Sequence, residues 1–240
     1  MDIREQTQPA EIITDVAELS ERCDEVAIRK NNADVMRINR ILKATIRANA
    51  EIKGLSAPQI GEKVRICDLN HQGDIKCYVN PMISKADGIC LSHETTESLP
   101  GRRFIAIRNN DIEVKYLEPN GKLGTAHLVG QSAFIMQQMI DYLQGVTLED
   151  HALEIDDDYD SASDADKQQI ISLYCDSLDL NAKDLLETIK DDAEAKQLYD
   201  GIDFMEKVQS GEVKLTTQTF DVATPKKEKR PKISRKRKIV

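Results

Sequence analysis

The stretch "FIMQQMIDYLQG", residues 134–145, decides how the chain is read. Met136, Met139 and Ile140 recur at helical spacing, so residues 131–144 predict a helix whose apolar side faces a core. Gly145 is placed to end it in a left-handed conformation, which a residue without a Cβ adopts at little steric cost. Upstream, "FIAIRNNDIEVKYLEPNGKLGTAHLV" alternates apolar and polar residues on both sides of Pro119, Asn120 and Gly121, and Asn-Gly is a strong hairpin signal. Further upstream, "KVRICDL" and "IKCYVNP" flank the turn "NHQGD" and predict a second strand pair. Residues 34–50 place Val35, Met36, Ile38, Ile41, Leu42 and Ile46 on one helical face, with Asp34 as the expected cap. Helix, strands, strands, helix is the order of an α+β domain.

The 240 residues give room for one domain and an appendage, and a 40% hydrophobic content supports a packed core. With no Trp and only 4% aromatics, that core rests on Ile, Leu, Val, Ala and Met. The first residues lack the basic start and apolar run of a secretory signal, and no window approaches the roughly 18 apolar residues of a transmembrane helix. The expectation is a soluble cytoplasmic protein with no membrane partner. Cys23, Cys67, Cys77, Cys90 and Cys175 are odd in number, scattered and without a CxxC pair, which predicts free, mostly buried thiols.

Charge divides the chain. The last 16 residues hold nine Lys or Arg against one Glu, a net of +8; the whole chain being −9, the rest carries −17. The expected organisation is a domain over 1–150, an acidic linker over 151–166, a helical extension over 167–210 whose second helix starts at Asn181, and an extended segment with the basic tail over 211–240. Asp156, Asp158 and Asp160 begin like a calcium loop, but Ser161 and Lys167 stand where Gly and Glu are needed, so a solvated linker is expected. The cations Lys226, Lys227, Lys229, Arg230, Lys232, Arg235, Lys236, Arg237 and Lys238 suit contact with phosphates, an acidic protein surface, or plain solvation. The tail has no aromatics to stack on bases.

Three short stretches then stand in a telling order: "GLSAPQIG" (54–61), "ETTESLPG" (94–101) and "QQMIDYLQG" (137–145). Together they resemble the three motifs of the peptide deformylase family, metalloenzymes that remove the formyl group from the starting methionine of new bacterial proteins. The resemblance covers roughly residues 1–150. Against the family's GxGxAAPQxG, Gly54, Ala57, Pro58, Gln59 and Gly61 match, while Ile52 replaces the first Gly and Ser56 an Ala. Against EGCLSxPG, Glu94, Ser98, Pro100 and Gly101 match, but Thr96 stands at the metal-binding Cys and Glu97 at the Leu. Against HExDHxxG, Asp141 and Gly145 remain, with Gln138 and Tyr142 at the two His positions and Met139 at the Glu.

A hydrolytic metal site needs about three protein ligands and an open position for water. Thr, Gln and Tyr are poor substitutes for that set, and Met139 accepts no proton. Gln59, at the family's oxyanion-stabilising position, is expected to bond nearby backbone, and Ile52 and Gly54 to border the old groove. Cys90 and His93 form a lone CxxH, weighed as a displaced metal site against a buried thiol and a surface imidazole. The resulting expectation is a deformylase-fold chain with no metal, no cofactor and no catalytic residues, hence not an enzyme. It would serve as a structural or binding part of a larger protein assembly. Deformylase-like genes occur in bacteriophages, so a virion tail or baseplate in a bacterial host is the setting considered. The alternatives are a module binding peptides, ribosomes or RNA through the groove and tail, and an active enzyme with a rebuilt site.

Overall fold

The structure, a computed structural model, describes residues 7–27, 32–71, 73–178 and 180. All belong to one compact unit, Met1–Ala195. The elements run α1 (Val16–Leu19), α2 (Ala33–Ala48), β1 (Gly54–Ser56), a 3₁₀ turn over Ala57–Ile60, β2 (Ile66–His71), β3 (Asp74–Glu94), β4 (Arg103–Leu117), β5 (Leu123–Val129), α3 (Gln131–Leu143), α4 (Leu148–His151), β6 (Leu153–Ile155), α5 (Asp157–Ser161) and α6 (Asp164–Ser177). The fold is α+β, as expected. Strands β1 to β5 lie in chain order in one antiparallel sheet, and β6 pairs with β4.

Alternation in β2 sends its residues to two separate cores. Cys67 and Leu69 pack with Met136, Met139 and Ile140 of α3, whereas Ile66 packs with Val35, Ile38, Leu42 and Ile46 of α2. Helices α2 and α3 therefore cover opposite faces of the sheet. Each fully buried aliphatic side chain contributes roughly 1.5–3 kcal/mol by leaving water. Met36 is a correction to the predicted stripe of α2, being 45% exposed. Asp34 is another: Asn32 caps α2, its Oδ1 accepting from the backbone N of Asp34 and Val35.

Both predicted strand pairs form. Glu118 to Lys122 close the β4–β5 turn, with Gly121 left-handed at φ 85°. The 21-residue β3 bends at register shifts between Val79 and Met82 and between Ile83 and Lys85. Asn80 holds the bend with φ 49°, donating to Val26 O and accepting from Val26 N at 2.9 Å each. Gly145 ends α3 with φ 75°, as predicted.

The stretch read as an acidic linker, 151–166, is instead folded against the sheet. Strand β6 pairs with β4 from Arg103 opposite Ile155 to Ile105 opposite Leu153. Asp156 caps α5, accepting from Tyr159 N at 3.0 Å, and Asp160 accepts from Arg103 at 2.6 Å. These acids serve a helix and an ion pair, so no calcium loop forms. Beyond them, Ile171 and Cys175 of α6 pack against Ile89, Leu91 and Ile107. The five cysteines are free, and four are buried. No helix among the described residues is long and apolar enough to cross a membrane. The second helix predicted from Asn181, the 211–240 segment and all nine tail cations lie outside the described residues.

Candidate functional site

The three motif stretches meet where β1, the end of β3 and α3 converge. Gln59, in the 3₁₀ turn, is 2% exposed. Its Oε1 accepts from Ser56 N at 3.0 Å and Ser56 Oγ at 2.8 Å, which turns its amide nitrogen inward. That nitrogen donates to Thr96 Oγ1 at 3.3 Å and to Ser98 Oγ at 3.2 Å. Tyr142 OH donates to Thr96 Oγ1 at 3.2 Å from the opposite side, and burial pushes this phenol up to about 12. So Gln59 bonds backbone, as expected, and also bonds Thr96, which in turn links it to Tyr142 in a neutral, buried network. Met139, 1% exposed, sits in the α3 core beneath β1. The helix comes this close because residue 54 has no side chain: a Cβ there would stand 2.5 Å from Ile135 Cγ2 and 2.8 Å from Met139 Sδ.

Gln138 takes no part in that network. Its Nε2 donates to Glu94 Oε2 at 3.1 Å and Thr95 O at 3.3 Å. Glu94 is in turn gripped by Arg108, with Nε to Oε1 at 2.7 Å and Nη2 to Oε2 at 2.8 Å, and Arg108 Nη1 donates to Asp141 Oδ2 at 2.5 Å. Burial alone would lower the guanidinium pKa. Its bonds to Glu94 and Asp141 more than reverse that and hold it above the ordinary arginine value. Arg108 escaped the sequence reading. Its signal was a cation at an inward position of an alternating strand, where it is only 5% exposed.

Cys90 and His93 do not make a rebuilt site. Both lie on β3, and residues three apart on a strand point to opposite faces. Cys90 is partly buried, which pushes its thiol up to about 11, and His93 is exposed. Among the described residues no group of three or more His, Cys, Asp or Glu is placed to hold a metal. The family implies a metal at Thr96, Gln138 and Tyr142, and these residues do not fit one: their oxygens and amides are neutral, and each is already bonded to a neighbouring residue of the site.

A groove of about 270 Å³ opens beside Gly54 and the end of β3, its lining including Glu94, Thr95, Glu97, Ile135 and Gln138. Ile52, expected beside Gly54, lies instead in the α2 core at 2% exposure. A larger concavity of about 510 Å³ lies at Met36 and Pro119, and among the described residues its lining shares none with the groove and has no titratable side chain.

A family model described as polypeptide deformylase matches residues 9–158. The peptide deformylase of Dictyoglomus turgidum is 32% identical over 101 residues, 42% of this chain and 66% of that protein. That of Syntrophomonas wolfei is 32% identical over 127 residues, 53% of this chain and 83% of the relative. Among solved structures, the deformylase of the Vibrio parahaemolyticus bacteriophage VP16T, in complex with actinonin, aligns at 31% identity and TM-score 0.52, over 57% of this chain and 98% of that one. A class I type b enzyme of Acinetobacter baumannii shares the fold at 22% identity and TM-score 0.55, over 58% and 97%. The expectation of a chain that is not an enzyme is corrected by this kinship, because the relatives it matches carry the name of an enzyme.

Proposed function

The chain belongs to the polypeptide deformylase family, and from that premise we propose that it engages the amino-terminal end of peptides, the substrate class its relatives' name gives, laid as an added strand along β1. The observation that carries this reading is the free edge of β1. Among the described residues the sheet runs β1 to β5 with no strand beyond β1, and Asn70 N donates to Lys53 O at 2.8 Å across the β1–β2 ladder. Antiparallel pairing alternates, so the next residue, Gly54, turns its N–H and C=O to the outer edge, over the groove. An extended peptide supplies the complementary groups, as in other cases of strand addition. Thr95 and Glu97 border the bound segment on its far side, and Ile135 offers an apolar floor to its first side chain.

The test is calorimetric titration of formyl-Met-Ala-Ser-amide, with formate release followed in the same samples. Saturable binding is expected, weakened at least tenfold when the peptide N–H facing Gly54 is N-methylated or when Thr95→Trp fills the groove. Binding indifferent to both changes, or no saturable binding, would sink the reading. Formate release above the buffer rate would add turnover to the binding role.

A further inference from the structure

We propose that the groove selects a peptide with a free terminal ammonium over one whose amine is acylated, because Glu97 meets that end as a carboxylate that no cation among the described residues pairs with. This rests on the peptide-groove reading above and assigns its preferred ligand. The carboxylates near the groove differ in one respect. Glu94 and Asp141 are both held by Arg108, so their charge is answered from inside the protein. Glu97 lines the groove half-buried, and no ion pair reaches it among the described residues. Lys53 and His93 also line the groove, but neither forms an ion pair with Glu97, and Lys53 Nζ donates to Ala50 O at 2.7 Å.

Loss of water holds the Glu97 carboxyl above the ordinary glutamate range, the behaviour of an acid with no partner in place. A cation arriving in the groove removes that penalty, and a formylated amine, being neutral, does not. The sequence departure points the same way: Glu97 stands where the family motif has Leu, so a charge has entered the groove at an apolar position. The deformylated end is then the tighter ligand, and any turnover on the formylated one is slowed by its own product.

Paired titrations test this at pH 6.5, where the terminal amine, with a pKa of about 7.7–8.0, is charged. H-Met-Ala-Ser-amide should bind about tenfold tighter than formyl-Met-Ala-Ser-amide, the advantage shrinking in 0.5 M salt. Glu97→Gln should remove the advantage, so that the two peptides bind the variant equally. A desamino peptide, which needs no variant, should bind as weakly as the formyl one. Equal binding of amine and formyl peptides by the unaltered chain, or a preference that survives Glu97→Gln, overturns the inference while leaving the groove reading intact. Failure of every peptide to bind removes both.

Discussion

Two buried polar places flank the β1–β2 ladder, and they are built oppositely. On the α3 side, Gln59, Thr96, Ser98 and Tyr142 are linked by hydrogen bonds, and no formal charge is buried among them. On the α2 side, Asp68 is 0% exposed, and neither carboxylate oxygen has a hydrogen-bond partner. Burial pushes its pKa up to about 7, despite the Cys77 thiol opposite it and the more distant Lys43 and Arg47, which pull it down. Asn39 Oδ1, on α2, is unpartnered as well. The α3 side is thus a satisfied network of hydrogen bonds, whereas a buried carboxylate without a hydrogen-bond partner lies in the scaffold, beneath the other helix. A poised pKa thus does not by itself mark a site.

The contrast can be broken most forcefully through the ion network that supports Gln138. Arg108→Met leaves Glu94 and Asp141 without their cation, and should cost about 3–5 kcal/mol in urea unfolding. A loss under about 1 kcal/mol would mean that the network is solvated and not a buried support.

The Asp68 side is read by pH. Its folded pKa is raised above the unfolded value, so the folded state holds the proton over a wider range. Its stability contribution is complete below about pH 4 and is lost as pH rises towards 7, by about 4 kcal/mol in all. Asp68→Asn, which cannot ionise, should flatten that slope in urea unfolding between pH 4 and 8. An unchanged slope would show the carboxylate to be paired.

On the hydrogen-bonded side, Thr96→Val removes the acceptor shared by Gln59 and Tyr142 and should cost about 1–3 kcal/mol, with no dependence on pH between 5 and 8. A dependence in that range would place an ionised group in the network. The smallest effect is expected from chelation: with no metal cage to empty, EDTA should move the melting temperature by less than about 1 °C. A larger fall would reveal a structural metal.

The hairpins were legible because Asn-Gly and period-two alternation act within a few residues, and α3 because Met136, Met139 and Ile140 share a face. The motif order located the site without any contact being known. Other features were hidden for physical reasons. Met36 and Leu42 are equally apolar, and only the placement of the sheet buries one and exposes the other. The CxxH spacing of Cys90 and His93 suits a loop, and it loses its meaning once β3 runs through it. The acidic stretch at 151–166 looked like solvated chain because its partners, Arg103 and the edge of β4, lie about 50 residues upstream in the sequence.

The sequence by itself determined the α+β order, the family kinship and the replacement of the ligand set, since which atoms a side chain carries is a local fact. Tertiary structure alone decided which charges are answered. Arg108 reaches Glu94 because β3 and β4 pair in register from Glu94 opposite Phe104, and it reaches Asp141 because α3 lies across them. Glu97, three residues past Glu94, has no such partner among the described residues. Coulomb attraction and hydrogen bonding fall off within a few ångströms, so long-range register decides which of the two acids bordering the groove is neutralised.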